Sequence, residues 1–569
     1  MALVHFPVCH SFVTSYRITY KSEPERHRVL GGEIACQNQE ASSYIYTHPT
    51  AIDLITGSQN DMNDRIPHLT TGHLNRNRTL IFLASALAFL YLRTFLLPGT
   101  PLIAQGDQVI YFAHGIRMLH GQLPFRDFFT FVLPGTDLFY ACVFGLFGVH
   151  AWLPPTFLIL LGLTVVCLLL WISKSILSGM TAFLPPLLFL VLDFDSALDA
   201  THHWYSTIFV LAATGTLLGG RSARRVLTAG VFCGIAAIFT QTQGTLSLIA
   251  ISFFLIVTRR TKEQEGPLSK QLVLLALPFV TIVGGLLGYY VYAIGLHPLF
   301  YDLGTFLFKY FSAQEAHRPA AYFMQIPQLR KLTDLASVTQ YGFIHLFVPF
   351  AYFFGLFRLV REKRQMDPKL WEAMLLINLT GLAIFAAVVN GPTYHRLSMI
   401  APPAIIVAVW LFHGASTVNR TVRALLWSTA VVLLISLPAH LQLHWRGYVD
   451  LPIGRAATPD RVRYDEFQQF AGRVHAGESF FGSPQLSFNF SLDNPTQMDV
   501  VTPNEFTRPE QVDGVVHALA NNRTPLISLY PEIYFSHGAG DNLGPFRDYI
   551  HQNYHQIQVF HSGQIWERN

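Results

Sequence analysis

Apolar runs follow one another between about residues 80 and 440, separated by short polar breaks. A helix that crosses a bilayer needs ~20 apolar residues. Runs at 80–97, 152–173, 180–192, 204–220, 226–240, 244–258, 271–295, 341–360, 371–389, 397–414 and 424–440 approach or meet that length and predict eleven spans. The third, fifth and sixth are short. Beyond residue 440 the pattern changes. Helical periodicity at 462–476, 508–521 and 544–553 alternates with short apolar runs at 479–482, 525–530 and 556–560. Alternation of that kind predicts a small layered α/β domain. The expected fold class is an α-helical polytopic membrane protein with a small α/β domain. Residues 1–78 form a polar, disordered tail, 79–440 the membrane part and 441–569 the α/β domain. The tail has no apolar stretch ahead of a small-residue cleavage site, so it does not read as a signal peptide. Met62, shortly before the first span, offers an alternative start.

The basic residues orient the spans. With the N-terminus inside, the inner loops hold Lys174, Arg221, Arg224, Arg225, Arg259, Arg260, Lys262, Lys270, Arg358, Arg361, Lys363, Arg364, Lys369, Arg420 and Arg423. The longer outer loops hold only Arg117, Arg126, Lys309, Arg318, Arg330, Lys331 and Arg396. The positive-inside bias supports this orientation and puts residues 441–569 outside. Residues 134–150 are apolar enough to enter the membrane, but a full crossing there would invert every later loop. They are expected as an interfacial or re-entrant helix on the outer side. The stretch 98–151 is then one long outer loop, and 296–340 is a second.

Composition agrees. Charged residues make up 13% of the chain, against about 25% in soluble domains. The net charge of +4 is small and sits in loops, so it marks topology and not a nucleic-acid surface. Five cysteines are present, none in the 441–569 part and none in a CxxC or Cys/His metal pattern. No metal ligands are assigned. The sequence requires no cofactor, and a divalent cation is left open.

Within the first outer loop, Pro98-Gly99 breaks the first span and Asp107 stands before the helical pattern DQVIYFAHGIRMLHG. Asp107, Tyr111, His114 and Met118 fall on one face of that helix. The longer run GDQVIYFAHGIRMLHGQLPFRDFFTFVLPGTDLFYACVFGLFG resembles the first outer loop of GT-C glycosyltransferases. The bacterial branch near the protein mannosyltransferases and the lipid A aminoarabinose transferases is the most similar. Shorter likenesses lie in HHWYS (202–206), TQTQG (240–244), YHRLSMIAPP (394–403), FFGSPQLSFNF (480–490) and VTPNEFTRPEQV (501–512). One departure matters: where that family carries Asp-Glu or Asp-Asp, this chain has Asp107-Gln108.

The resemblance implies transfer of a sugar from a polyprenyl-phosphate donor to a hydroxyl on a glycan, lipid or protein, at the outer face of a bacterial cytoplasmic membrane. Such a donor needs a groove for its chain, cations for its phosphate and a hydrogen-bond acceptor near the attacking hydroxyl. Asp107 is the first candidate for that acceptor, although an Asp before a helix also serves as an N-cap. Asp127 could position the acceptor, or only pair with Arg126. Arg396, with His395, could hold the phosphate bidentately, or snorkel to the interface. Tyr111, His114, His202, His203, Gln241 and Gln243 are the candidate substrate-binding residues. Polar groups at membrane depth are expensive and point to a cavity, while for Gln241 and Gln243 the outer turn of a hairpin explains them equally. Trp204 and Tyr205 fit an interfacial aromatic belt, and Asp193, Asp195 and Asp199 a solvated acidic loop. Two other functions stay open: a glycolipid transporter or flippase, expected to show half-chain repeats and interrupted helices, and a membrane-anchored glycan-binding protein.

Overall fold

The computed structural model describes residues 76–259, 266–311, 322, 327, 335–389, 391–503, 507–530, 541–560 and 563–569. They belong to one compact unit. Residues 1–75 of the tail, with Met62, and residues 312–321, 323–326 and 328–334 of the second outer loop lie outside the described residues.

A helix occupies each of the eleven apolar runs. In chain order the helices to residue 257 are α1 Arg76–Thr94, α2 Gln108–Leu119, α3 Gly135–Phe147, α4 Leu153–Lys174, α5 Leu184–Leu188, α6 His202–Leu218, α7 Ala223–Phe239 and α8 Gln241–Val257. They continue as α9 Leu268–Ile294, α10 Leu296–Phe300, α11 Leu335–Gly342, α12 Val348–Arg361, α13 Pro368–Val388, α14 Tyr394–Met399, α15 Ala401–Leu411 and α16 Thr417–Leu443. Among the described residues six helical runs are long and apolar enough to cross a membrane: 153–174, 179–197, 268–294, 337–361, 368–388 and 417–443. The chain is a multi-pass membrane protein. The run 179–197 is irregular, passing from α5 into a π-helical turn at Phe189–Asp193 and a 3₁₀ turn at Phe194–Ala197.

Contacts join several of the predicted inner loops. Arg221 donates to the Thr258 carbonyl at 2.9 Å and to Glu372 at 2.8 Å, joining the ends of α6 and α8 to the start of α13. Lys174 reaches Thr79 at the start of α1. The expected re-entrant segment is α3. Its Pro134-Gly135 start presses on the end of α7, where a Cβ at 135 would lie 2.5 Å from the Ile238 carbonyl oxygen. Only glycine fits there. Helix α2 lies across α3, with Phe112 wholly buried and 4.5 Å from the Tyr140 ring.

Residues after 443 open with a hairpin, β3 Gly447–Leu451 and β4 Gly454–Thr458, following the two short strands β1 Phe95–Leu96 and β2 Thr100–Pro101. The first outer loop extends this hairpin, Ile103 donating to the Ala457 carbonyl at 2.9 Å. Then come α17 Arg461–Ala471, β5 Phe480–Phe481, α18 Pro484–Phe490, α19 Pro509–Asn521, β6 Leu526–Leu529, α20 Gly544–Asn553, β7 Tyr554–Val559 and β8 Gln564–Arg568. The strands form a sheet in the order β5-β6-β8-β7, parallel between β5 and β6 and antiparallel elsewhere. Phe481, Ile527, Phe546 and Ile550 lie in its core.

Candidate active site

The loop between α1 and α2 turns at Gly106, whose φ of +79° is open to glycine at little cost. The turn delivers Asp107 to the first position before α2. Its side chain makes no capping hydrogen bond and is exposed. Capping is therefore not what this carboxylate does. A Cβ at 106 would sit 3.4 Å from Asp199 Oδ2, so the turn brings Asp107 alongside a second acid, 92 positions further on.

Asp199 is 4% exposed. Its Oδ2 lies 3.1 Å from His395 Nε2, and its Oδ1 is buried without a hydrogen-bond partner. Burial raises the carboxyl above the usual range, and His395 opposes that shift. Gln108 is buried and holds the same loop, its side-chain oxygen accepting from the Ala200 amide at 3.2 Å. Gln108 is thus a strut, and the carboxylate brought alongside Asp107 is that of Asp199, from elsewhere in the chain.

One turn along α2, the Tyr111 hydroxyl lies 2.5 Å from His202 Nδ1. His202 packs against His203 with the rings tilted and their centroids 4.0 Å apart, and His203 Nδ1 is 3.4 Å from Gln243 Nε2. Arg396 is close enough to Tyr111, His202, His203 and His395 to act on each electrostatically. Its guanidinium also reaches the Gly391 carbonyl at 3.4 Å and lies 5.5 Å from the Phe311 ring. The structure therefore gathers Asp107, Tyr111, His202, His203, Gln243, His395 and Arg396, together with Asp199.

Three candidates sit apart. Asp127 is held in a turn, accepting from Arg126 at 2.7 Å and from the Leu123 amide at 2.7 Å. Arg126 above all, helped by the Leu123 amide, keeps its carboxyl below the usual range against the effect of burial. Gln241 braces the start of α3, donating to the Phe131 carbonyl at 3.0 Å. His114 stands edge-on to Tyr111, ring centroids 6.4 Å apart, with its two ring nitrogens taken up by Asp137 at 3.1 Å and Asp499 at 2.6 Å.

Two expectations are corrected. The acidic loop is not solvated: Asp193, Asp195 and Asp199 are 0%, 9% and 4% exposed. Asp195 pairs with Arg93 of α1 at 2.5 Å, a partner 102 residues away that local sequence gives no sign of. Nor do Trp204 and Tyr205 form a belt. Trp204 is wholly buried, and the Tyr205 hydroxyl meets that of Tyr140 at 2.8 Å. Asp199 is the residue that sequence reasoning passed over. Its one signal was a third acid next to the HHWYS segment. Among the described residues, no group of three His, Cys, Asp or Glu side chains is placed to hold a metal ion.

No protein-family model matches the chain, and no curated protein matches it in sequence. Solved structures do match. The structure of ArnT from Cupriavidus metallidurans bound to undecaprenyl phosphate aligns with a TM-score of 0.56 at 13% identity, covering 86% of this chain and 98% of that one. The apo state of the same protein aligns with a TM-score of 0.54 at 13% identity, covering 86% and 97%. An oligosaccharyltransferase from Archaeoglobus fulgidus in the apo form aligns at 12% identity and a TM-score of 0.47, covering 80% and 70%. The chain shares the fold of the ArnT structures.

Proposed function

We propose that this chain transfers a sugar from a polyprenyl-phosphate donor to a hydroxyl acceptor at the outer face of a bacterial cytoplasmic membrane. The observation that carries the reading is Asp107: an exposed carboxylate free of capping duty, beside Asp199 and sharing its surroundings with Arg396. The ArnT fold likeness supports it, since that protein was solved bound to undecaprenyl phosphate.

In the proposed step the acceptor hydroxyl gives its proton to Asp107 while its oxygen bonds to the anomeric carbon. The bond from that carbon to the phosphate oxygen breaks, and the polyprenyl phosphate leaves with the electron pair. Arg396 pairs with the phosphate charge through its planar fork. Tyr111, His202, His203 and Gln243 offer hydrogen bonds to the sugar, and Asp199 with His395 holds the loop behind Asp107. No step is assigned to Asp127, Gln241 or His114. The residues leave the sugar, the stereochemical outcome and the kind of acceptor open.

The test is a membrane assay with radiolabelled polyprenyl-phosphate sugars. A new glycosidic product supports the reading. Movement of labelled lipid between leaflets with no new bond would instead make the chain a transporter.

A further inference from the structure

Residues 494–499 form a tight loop that the rest of the 444–569 part projects onto the first outer loop. Asn494 and Thr496 brace it internally, the Thr496 hydroxyl donating to the Met498 carbonyl at 2.6 Å and the Thr496 amide donating to Asn494 Oδ1 at 2.9 Å. Four contacts fasten it across: the Phe129 amide to the Gln497 carbonyl at 2.8 Å, the Gln497 side-chain amide to the Arg126 carbonyl at 2.9 Å, Arg117 to the Thr496 carbonyl at 2.9 Å, and His114 to Asp499 at 2.6 Å. His114 is 2% exposed and its other nitrogen meets Asp137 of α3. A carboxylate can only accept, so an imidazole placed between two of them must donate from both nitrogens, which only its protonated form does.

We propose that His114 is a positioning residue: as an imidazolium it clamps α2 between α3 and the 494–499 loop, and so fixes where Asp107 and Tyr111 stand. This rests on the function proposed above. The charges facing His114 balance. Asp137 comes from α3, Asp499 from the loop, and Arg117 of α2 lies 3.9 Å from Asp499. Asp127 and Asp493 act on Arg117 from further off, Tyr290 of α9 is within reach of Asp137, and the Phe128 ring covers the imidazole at 4.3 Å. Burial works to lower the His114 value, yet Asp499 and Asp137 outweigh it and hold it up to about 9. Because the folded value lies above the ~6.5 of a free imidazole, the clamp's contribution is whole below about that pH. It is lost as pH rises through about 9.

The experiment uses the full chain in lipid nanodiscs, with melting temperature and donor kinetics measured from pH 6 to 10 on wild type, Asp499→Asn and His114→Gln. In Asp499→Asn the amide can donate to a neutral imidazole, whose Nδ1–H still serves Asp137, so the need for a charged ring disappears. Expected for wild type are a melting temperature and a kcat that both fall as pH passes about 9, with the KM for donor little changed. Asp499→Asn should flatten both profiles. His114→Gln, compared per folded molecule at pH 7, should lose roughly 10- to 100-fold in kcat, because small misplacements of reacting groups are costly. The same alkaline fall in Asp499→Asn as in wild type would overturn the clamp. Wild-type kcat per folded His114→Gln molecule would reduce His114 to a structural contact and overturn its positioning role. If wild type turned over no lipid-phosphate sugar, the function would fail, while the melting profiles would still decide the clamp.

Discussion

Replacing Asp107 with asparagine separates the two duties that an acidic residue ahead of a helix can have. The side chain makes no capping bond to α2 and faces solvent. The 0.5–2 kcal/mol lost when a working cap is removed therefore does not apply, and neither asparagine nor alanine should lower the melting temperature appreciably. The catalytic cost is different in size. A general base contributes typically ~100- to 10,000-fold, which at about 1.36 kcal/mol per decade is roughly 2.7–5.5 kcal/mol of barrier. Asparagine keeps the shape of the side chain but does not take up the proton. Both variants should therefore insert, melt with wild type and bind donor, yet fall to between a hundredth and a ten-thousandth of its turnover. Single-turnover measurements with a labelled donor, beside thermal melts, read both quantities at once. A stable Asp107→Asn enzyme within a few-fold of wild type would refute the reasoning. So would loss of activity that merely followed loss of fold.

Other outcomes follow from the same arrangement. Arg396→Lys keeps the charge but not the fork, so it should raise the KM for donor with turnover retained, and Arg396→Ala should be worse; wild-type turnover of the alanine variant at limiting donor would exclude the phosphate role. Arg93→Met leaves Asp195 buried without its cation and should destabilise the chain by about 3–5 kcal/mol, read as a lowered melting temperature that Arg93→Met/Asp195→Leu partly restores. Single cysteines placed at 221–225 and 358–364 should resist an impermeant thiol reagent from outside, and one at Arg455 should react; outside labelling of 358–364 would invert the topology.

Much of the fold was legible because it is local. An apolar run of about twenty residues is a helix in lipid whatever surrounds it, since its backbone must satisfy itself. The helix at 108–119 declared itself through periodicity, and the sheet strands at 480–481 and 526–529 through short apolar runs between helical patterns. The hairpin 447–458 did not, and its packing explains why. Its strand β4 takes up the first outer loop along its edge, through Ala457 to Leu102 and Ile103, residues some 355 positions earlier. Nothing in GYVDLPIGRAAT states that partner. The segment α18 was missed for the same reason, since Asn489 and Gln485 are turned to the Ala104 carbonyl.

The site was legible to the extent that one helix carries it. Asp107, Tyr111 and His114 could be placed near one another from spacing alone, but spacing did not show what holds His114. Three residues beyond Tyr111, it shares the face that periodicity assigns, while the carboxylates that hold it, Asp137 of α3 and the distant Asp499, lie on other elements. Asp199 was hidden by the opposite effect. An acidic run beside polar residues reads as solvent-facing, because a buried carboxylate is costly unless paired. The pairing that makes it tolerable, His395 for Asp199 and Arg93 for Asp195, is supplied by helices far along the chain. Spacing thus finds the groups that one element presents together. The charges that must be neutralised across elements are found only by asking, of each acid in an apolar stretch, which cation elsewhere lacks a reason to be where it is. Arg93, in the last turn of α1, was such a cation.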